Sequence, residues 1–262
     1  MKAIILAAGM GTRLGKYTKN LPKCMLNFKG KTLIQREIDL LRACGITDII
    51  VVKGYMAEKI NIPGVKYYVN DDFANTNMVE TLFEAEKEMV GDILVLYSDI
   101  IFEQSVLENA INSKVDIGVA VDMDYWEYWK SRLDKPETDI ESFVVDDEGK
   151  IVELGDTACG FNKAKIRYVG LLKFSEAGVK ALKNVYHKHR EIHFNSDEKW
   201  KRSKCFRKAY MTCLLQALID DGYRVDPIRI SHGWMEFDTV EDYERANEWD
   251  KNCTLRRFIN ID

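Results

Sequence analysis

The sequence predicts an α/β fold: a Rossmann-like, mostly parallel sheet flanked by helices, with a mixed second half. Three observations carry this expectation. Short apolar runs alternate with amphipathic segments through the first 120 residues. The runs are continuous rather than alternating, as in strands buried on both faces of a parallel sheet. Glycines and an aspartate fall just after these runs, at the strand ends where such sheets bind ligands.

Each element follows from its local pattern. Residues 2–7 (KAIILA) read as a buried strand. Residues 32–44 read as a helix, with Ile34, Ile38 and Leu41 on one face and Gly45 suited to its C-terminal cap. Residues 48–52 (DIIVV) and 65–69 are strands, and 77–89 is a helix. Residues 92–97 (DILVLY) form a fourth strand that ends at Ser98-Asp99. A helix over 103–111 and a strand over 116–121 complete the first half. Beyond it, 143–145 and 151–153 flank Asp146-Asp147-Glu148-Gly149, a hairpin signal. Residues 166–174 read as a long strand, 177–189 and 208–220 as helices, and 224–230 and 234–237 as strands. Thr239 and Asp242 form a cap pair that opens a last helix. No repeat, low-complexity tract or Pro/Gly linker interrupts the chain, so residues 1–262 are expected to form one domain.

Composition excludes several classes. With 38 Lys and Arg against 42 Asp and Glu, the net charge is −4, and no basic excess exists to track a nucleic-acid strand. None of the six cysteines forms a C-x-x-C pair, which favours free thiols in a reducing cytoplasm. No signal-peptide pattern and no run of the ~20 apolar residues of a membrane span occurs. A cytoplasmic protein without a membrane partner is expected, and nothing in the sequence excludes a homo-oligomer.

The stretch LAAGMGTRLGKYTKNLPK, residues 6–23, places Gly9 and Gly11 directly after the first strand, with cations behind them. Such a loop commonly cradles phosphate through its backbone amides. A dinucleotide fingerprint fails, because Leu14 stands where the third glycine belongs. A P-loop ending in Gly30-Lys31-Thr32 fails too, because Met25 stands where its first glycine belongs.

LAAGMGTRL followed by Pro22-Lys23 closely resembles the signature of the nucleoside-diphospho-sugar pyrophosphorylase family of nucleotidyltransferases. The resemblance implies that backbone near Leu6, Ala8, Gly9, Gly11 and Thr12 cradles a nucleotide, with Ser98 at the end of the fourth strand. It implies that Arg13 holds the leaving phosphates, that Lys23 bridges the phosphates of both substrates, and that Gly54 lies close to the base. Asp99 matches the family's metal-binding aspartate, and Trp234-Met235-Glu236-Phe237-Asp238-Thr239 resembles its W-x-[DE]-x-D-T stretch. The implied cofactor is Mg²⁺, held by Asp99 and Asp238 with Glu236 as a weaker third ligand. Residues 1–120 would then carry the nucleotide and 121–262 the acceptor side.

Phe73-Ala74-Asn75-Thr76-Asn77-Met78 resembles an Asn-rich stretch of the phosphocholine and aminoalkylphosphonate cytidylyltransferases. Asn75 and Asn77 are therefore candidates for base or ribose contacts, with helix capping as the competing reading. The stretches from Val121 to Trp129, Tyr168 to Phe174 and Tyr210 to Gln216 extend the resemblance over nearly the whole chain, with Cys213 standing where that subgroup often has aspartate. Asp122 is the candidate for acceptor recognition. Trp126, with Tyr128 and Trp129, could box an ammonium group or simply pack in the core. Lys173 is expected to reach the acceptor pocket or to face solvent. The resulting expectation is a Mg²⁺-dependent transferase joining CTP to a small phospho- or phosphono-compound. The alternatives are a sugar-1-phosphate nucleotidylyltransferase using UTP, dTTP or GTP, and a non-catalytic nucleotide sensor.

Overall fold

The computed structural model describes residues 1–261. In chain order the elements are β1 (Lys2–Ala7), the short pair β2 (Asn27–Phe28) and β3 (Lys31–Thr32), α1 (Leu33–Ala43), β4 (Ile49–Lys53) and β5 (Lys66–Val69). Then come α2 (Met78–Phe83), β6 (Ile93–Tyr97), β7 (Ile100–Phe102), α3 (Gln104–Asn112), β8 (Ile117–Asp122) and α4 (Tyr125–Arg132). The rest comprises β9 (Phe143–Val145), β10 (Ile151–Leu154), β11 (Arg167–Phe174), α5 (Glu176–His193), α6 (Met211–Asp220), β12 (Asp226–Ile230), β13 (Trp234–Glu236) and α7 (Val240–Lys251).

Seven strands form one sheet in the order β12-β8-β11-β6-β1-β4-β5. β1 pairs in parallel with β4 and β6, β4 with β5, and β12 with β8; only β11 runs antiparallel to both neighbours. Both halves of the chain therefore contribute to one sheet, as the sequence predicts. Alternate residues of each strand face opposite sides. Ala3 and Ile5 join a core with α1, α3 and α4, while Ile4 and Leu6 join a core with α2, α5 and α6. Burial on both faces explains the unbroken apolar runs.

Local signals set the helix limits. The Thr32 hydroxyl accepts from the Gln35 amide at the start of α1, and Gly45 takes a positive φ just beyond its end. The capping box of Thr239 and Asp242 is present in full at α7. One expectation needs correction. The helix predicted over 77–89 stops at Phe83 and gives way to a short 3-10 turn. The stretch around Trp126 is the helix α4, an element the sequence pattern did not place. No helix among the described residues is long and apolar enough to cross a membrane.

Candidate active site

Strands β1, β4, β6 and β8 all end at one edge of the sheet. The Gly9–Arg13 loop leaves β1 there. Gly11 has φ of 60°, and a Cβ on it would come within 2.9 Å of the Lys23 Cβ. Glycine thus supplies both the left-handed backbone and the room for Lys23. Thr18 Oγ1 donates to the Gly11 carbonyl at 2.8 Å and closes the loop. Leu14 is fully buried in the core, which accounts for an apolar residue where a dinucleotide loop has glycine. Gly54 serves packing: a Cβ there would meet Ala8 at 2.8 Å and Phe73 at 2.9 Å.

A cleft beside this loop is lined by Leu6, Ala8, Gly9, Lys23, Asn77, Ser98 and Asp99, together with Phe73, Thr76 and Tyr97. Seven predicted residues thus come together. Gly11 adjoins through Lys23, Arg13 through Asp238, while Thr12 is exposed on the loop.

Lys23 organises the charge. Its Nζ donates to Asp99 Oδ2 and Asp238 Oδ1, each at 2.5 Å. Arg13, largely exposed, reaches Asp238 Oδ1 at 3.2 Å. Burial disfavours the Lys23 charge, but Asp99 and Asp238 outweigh it and raise the pKa. Burial likewise disfavours the Asp238 carboxylate, yet Lys23 and Arg13 lower its pKa to about 2.

Asp238 lies 139 positions after Asp99 in the chain. The bridge is a two-stranded ribbon in which β13 pairs antiparallel with β7, so that Glu236 faces Ile100 and the Phe237 amide donates to the Asp99 carbonyl at 3.0 Å. The sequence reading missed β7, a three-residue strand squeezed between Asp99 and a helix. It also missed Arg132, which is 3% exposed. Arg132 grips Asp242 in a fork at 2.7 and 2.8 Å and donates to Glu236. Asp242 in turn accepts from the Asp238 and Thr239 amides at 3.0 and 2.9 Å. No local signal marks Arg132, because its partners Asp242 and Glu236 lie 110 and 104 positions along the chain.

Several expected roles change. Glu236 pairs with Arg132 rather than Lys23, so among the described residues the carboxylates paired with Lys23 are Asp99 and Asp238. Burial pushes Glu236 up to about 7, against the pull of Arg132. Asp122 is fully buried and accepts from Trp234 Nε1 at 2.8 Å and from the Asp124 and His232 amides at 2.9 and 3.1 Å; it anchors a turn rather than an acceptor. Lys173 sits at the opposite end of the sheet, because β11 runs antiparallel, and donates to the Ser113 carbonyl. Trp126 packs on Phe161 with ring centroids 4.5 Å apart, while Tyr128 and Trp129 are core residues, so the three do not form a box. Asn75 is exposed and bonded to Asp72, whereas Asn77 caps α2 and also lines the cleft.

Comparison with known proteins agrees with this geometry. A model of the MobA-like NTP transferase domain matches residues 3–133. A CTP:phosphoglutamine cytidylyltransferase of Campylobacter jejuni is 34% identical over 256 residues, covering 93% of this chain and 98% of that protein. The chain belongs to the MobA-like NTP transferase family. This transferase is also 37% identical over 107 residues to a choline-phosphate cytidylyltransferase of Streptococcus pneumoniae, covering 39% of this chain and 47% of that one. Its fold matches the solved structure of the CTP:phosphocholine cytidylyltransferase from Streptococcus pneumoniae with a TM-score of 0.68 at 23% identity, over 94% of this chain and 97% of the other. The transferase is a nucleotidyltransferase with a Rossmann-like sheet, as its residues 6–23 led one to expect.

Proposed function

We propose that the protein is a Mg²⁺-dependent cytidylyltransferase that joins CTP to a small phosphorylated compound and releases pyrophosphate. The observation that carries this reading is the Lys23 ammonium held between Asp99 and Asp238 at the edge of the loop-lined cleft. The full-length similarity to a cytidylyltransferase supports the choice of CTP and of a phosphorylated acceptor.

The donor set suits the metal. Asp99 and Asp238 converge on one cation, and Mg²⁺ commonly takes one or two carboxylates plus phosphate oxygens and waters. Bound Mg²⁺ would neutralise and orient the triphosphate.

The chain's own groups do the rest. Loop amides near Gly9 and Gly11 accommodate the phosphates, and Gly9 leaves open space for close approach. The acceptor phosphate attacks the α-phosphorus in line, pyrophosphate departs, and no general base is needed because that phosphate is already ionised. Lys23 stays protonated at neutral pH and aligns the attacking phosphate. Arg13, exposed on the loop, meets the charge on the leaving group. Fixed cations of this kind stabilise transition-state charge without reorganisation.

The test is pyrophosphate release with each of CTP, UTP, dTTP and GTP against phosphocholine, phosphoglutamine and a sugar 1-phosphate, with Mg²⁺ and with EDTA. Release that needs CTP, a non-sugar phospho-compound and Mg²⁺ is expected. Release with a sugar 1-phosphate and another nucleotide would replace this reading. No release with any pair would leave a nucleotide sensor.

A further inference from the structure

Arg167 opens β11 at the same edge of the sheet as the cleft, in register with Asp122 at the end of β8. Its side chain is 11% exposed. A guanidinium carries five N–H donors, and a buried one normally spends most of them. Among the described residues its hydrogen-bond partner is the Asp139 carbonyl, reached from Nη1 at a long 3.4 Å, and Nε is buried without a partner. Asp139, Glu141 and Glu236 each stand 3.9 Å away, too far for a hydrogen bond. The guanidinium carbon lies over the Trp129 ring, 4.2 Å from its centroid, a cation–π contact. It is thus a buried, underused fork.

Glu141 is its complement. Its side chain is 20% exposed and its ionic contact is that loose approach to Arg167. Burial raises its pKa, and Arg167 only partly offsets this, so the carboxylate gains from a cation brought to it. A chain of charged contacts links the pair to the transfer cluster: Arg167 faces Glu236, Glu236 bonds Arg132, Arg132 approaches Asp238 at 3.9 Å, and Asp238 bonds Lys23.

We infer that Arg167 and Glu141 form the acceptor subsite for a zwitterion, Arg167 taking a carboxylate and Glu141 an ammonium group. The acceptor class is a phosphorylated amino-acid derivative, with the phosphate at Lys23 and the amino-acid end at this pair. The planar fork of Arg matches a carboxylate bidentately, and an amino acid carries both charges a few ångströms apart. A choline-type acceptor would use Glu141 and leave the Arg167 donors idle. This inference rests on the transferase reading of the same site.

The test compares wild type, Arg167→Met and Glu141→Gln with phosphoglutamine, phosphocholine and phosphoethanolamine. Wild type is expected to have its lowest KM with phosphoglutamine. Arg167→Met should raise that KM about 10–100-fold, the usual range for a lost charged hydrogen bond, raise the KM for phosphocholine less, because Glu141 loses the neighbouring charge that favours its carboxylate, and leave the KM for CTP within twofold. Glu141→Gln should raise KM for all three amine-bearing acceptors. Arg167→Lys keeps the charge without the fork and should recover only part of the loss. An equal rise for phosphoglutamine and phosphocholine in Arg167→Met would overturn the assignment in favour of phosphate binding. A fall in kcat with every acceptor, together with a changed KM for CTP, would overturn it in favour of a structural role. Calorimetric binding of the three phospho-compounds to wild type and Arg167→Met gives an independent readout. If it shows no carboxylate preference in wild type, the subsite is wrong even where transfer is seen. If it shows the preference while no pyrophosphate is released from CTP, the subsite stands and the transferase reading fails.

Discussion

Lys23 is the residue on which the site turns, because one nitrogen balances two carboxylates. Lys23→Ala removes the cation expected to align the acceptor, and turnover should fall at least about 100-fold, the loss typical of a transition-state donor. It also leaves Asp99 and Asp238 facing each other. The variant should therefore melt lower than wild type without metal, and Mg²⁺ should raise its melting temperature more than that of wild type. Equal shifts in both proteins would remove Asp99 and Asp238 as the metal pair. Asp238 gives a pH signature of its own. Its folded pKa, about 2, lies below the unfolded value near 3.8. Its contribution is present above pH ~4 and is lost as pH falls towards 2, amounting to about 2 kcal/mol. Urea titrations of wild type and Asp238→Asn between pH 2 and 5 should converge at the acid end; parallel curves would contradict the assignment.

At the scale of elements, α7 and the β7–β13 ribbon decide whether the late aspartate reaches the early one. Asp242 does three jobs: it closes the capping box, accepts from the Asp238 amide and neutralises Arg132. Asp242→Ala should cost about 3–5 kcal/mol, as expected for breaking a buried pair, whereas Thr239→Ala should cost about 1 kcal/mol as a lost cap. Chemical denaturation of both variants checks the ratio. These elements also show what the sequence could and could not reveal. The strands β1, β4, β6 and β8 were legible because two-sided burial writes an apolar run that no other structure explains in so few residues. The cap residues Thr32 and Thr239 were legible because capping is local. The strand β7 was not, since three apolar residues carry no period. The helix α4 was not, since Tyr128, Trp129 and Arg132 are placed by burial against partners far along the chain. Lys173 was misplaced for a related reason. Alternation tells which face a strand residue takes, but direction is chosen by neighbours, and β11 runs against both of its own.

For the whole molecule, ligand binding should read out as stability. The cleft draws on β1, β6, the start of α2 and the Lys23 turn, and Asp238 adds the C-terminal part. A nucleotide bound there ties distant segments of one sheet together. At a hundred times its dissociation constant, a ligand of the folded state adds about 2.7 kcal/mol. CTP with Mg²⁺ should therefore raise the melting temperature by several degrees, and EDTA should abolish most of the shift. A shift of the same size with UTP or GTP would show that the cleft does not select cytosine.

The reversal of β11 has a consequence for how such a protein can change over time. Strand β8 leaves the sheet and β11 re-enters it at the same edge, so residues 123–166 form an excursion that begins and ends at the sheet edge that carries the cleft. Apart from Arg132 and the aromatic side chains of α4, which hold Asp242, Glu236 and the core, its exposed residues can change without shifting the register of the seven-stranded sheet. The Gly9–Arg13 loop and Asp99 lie outside it, at the ends of β1 and β6. Exchanges in one segment can thus alter what meets the cleft while Arg132 keeps the late aspartate in place.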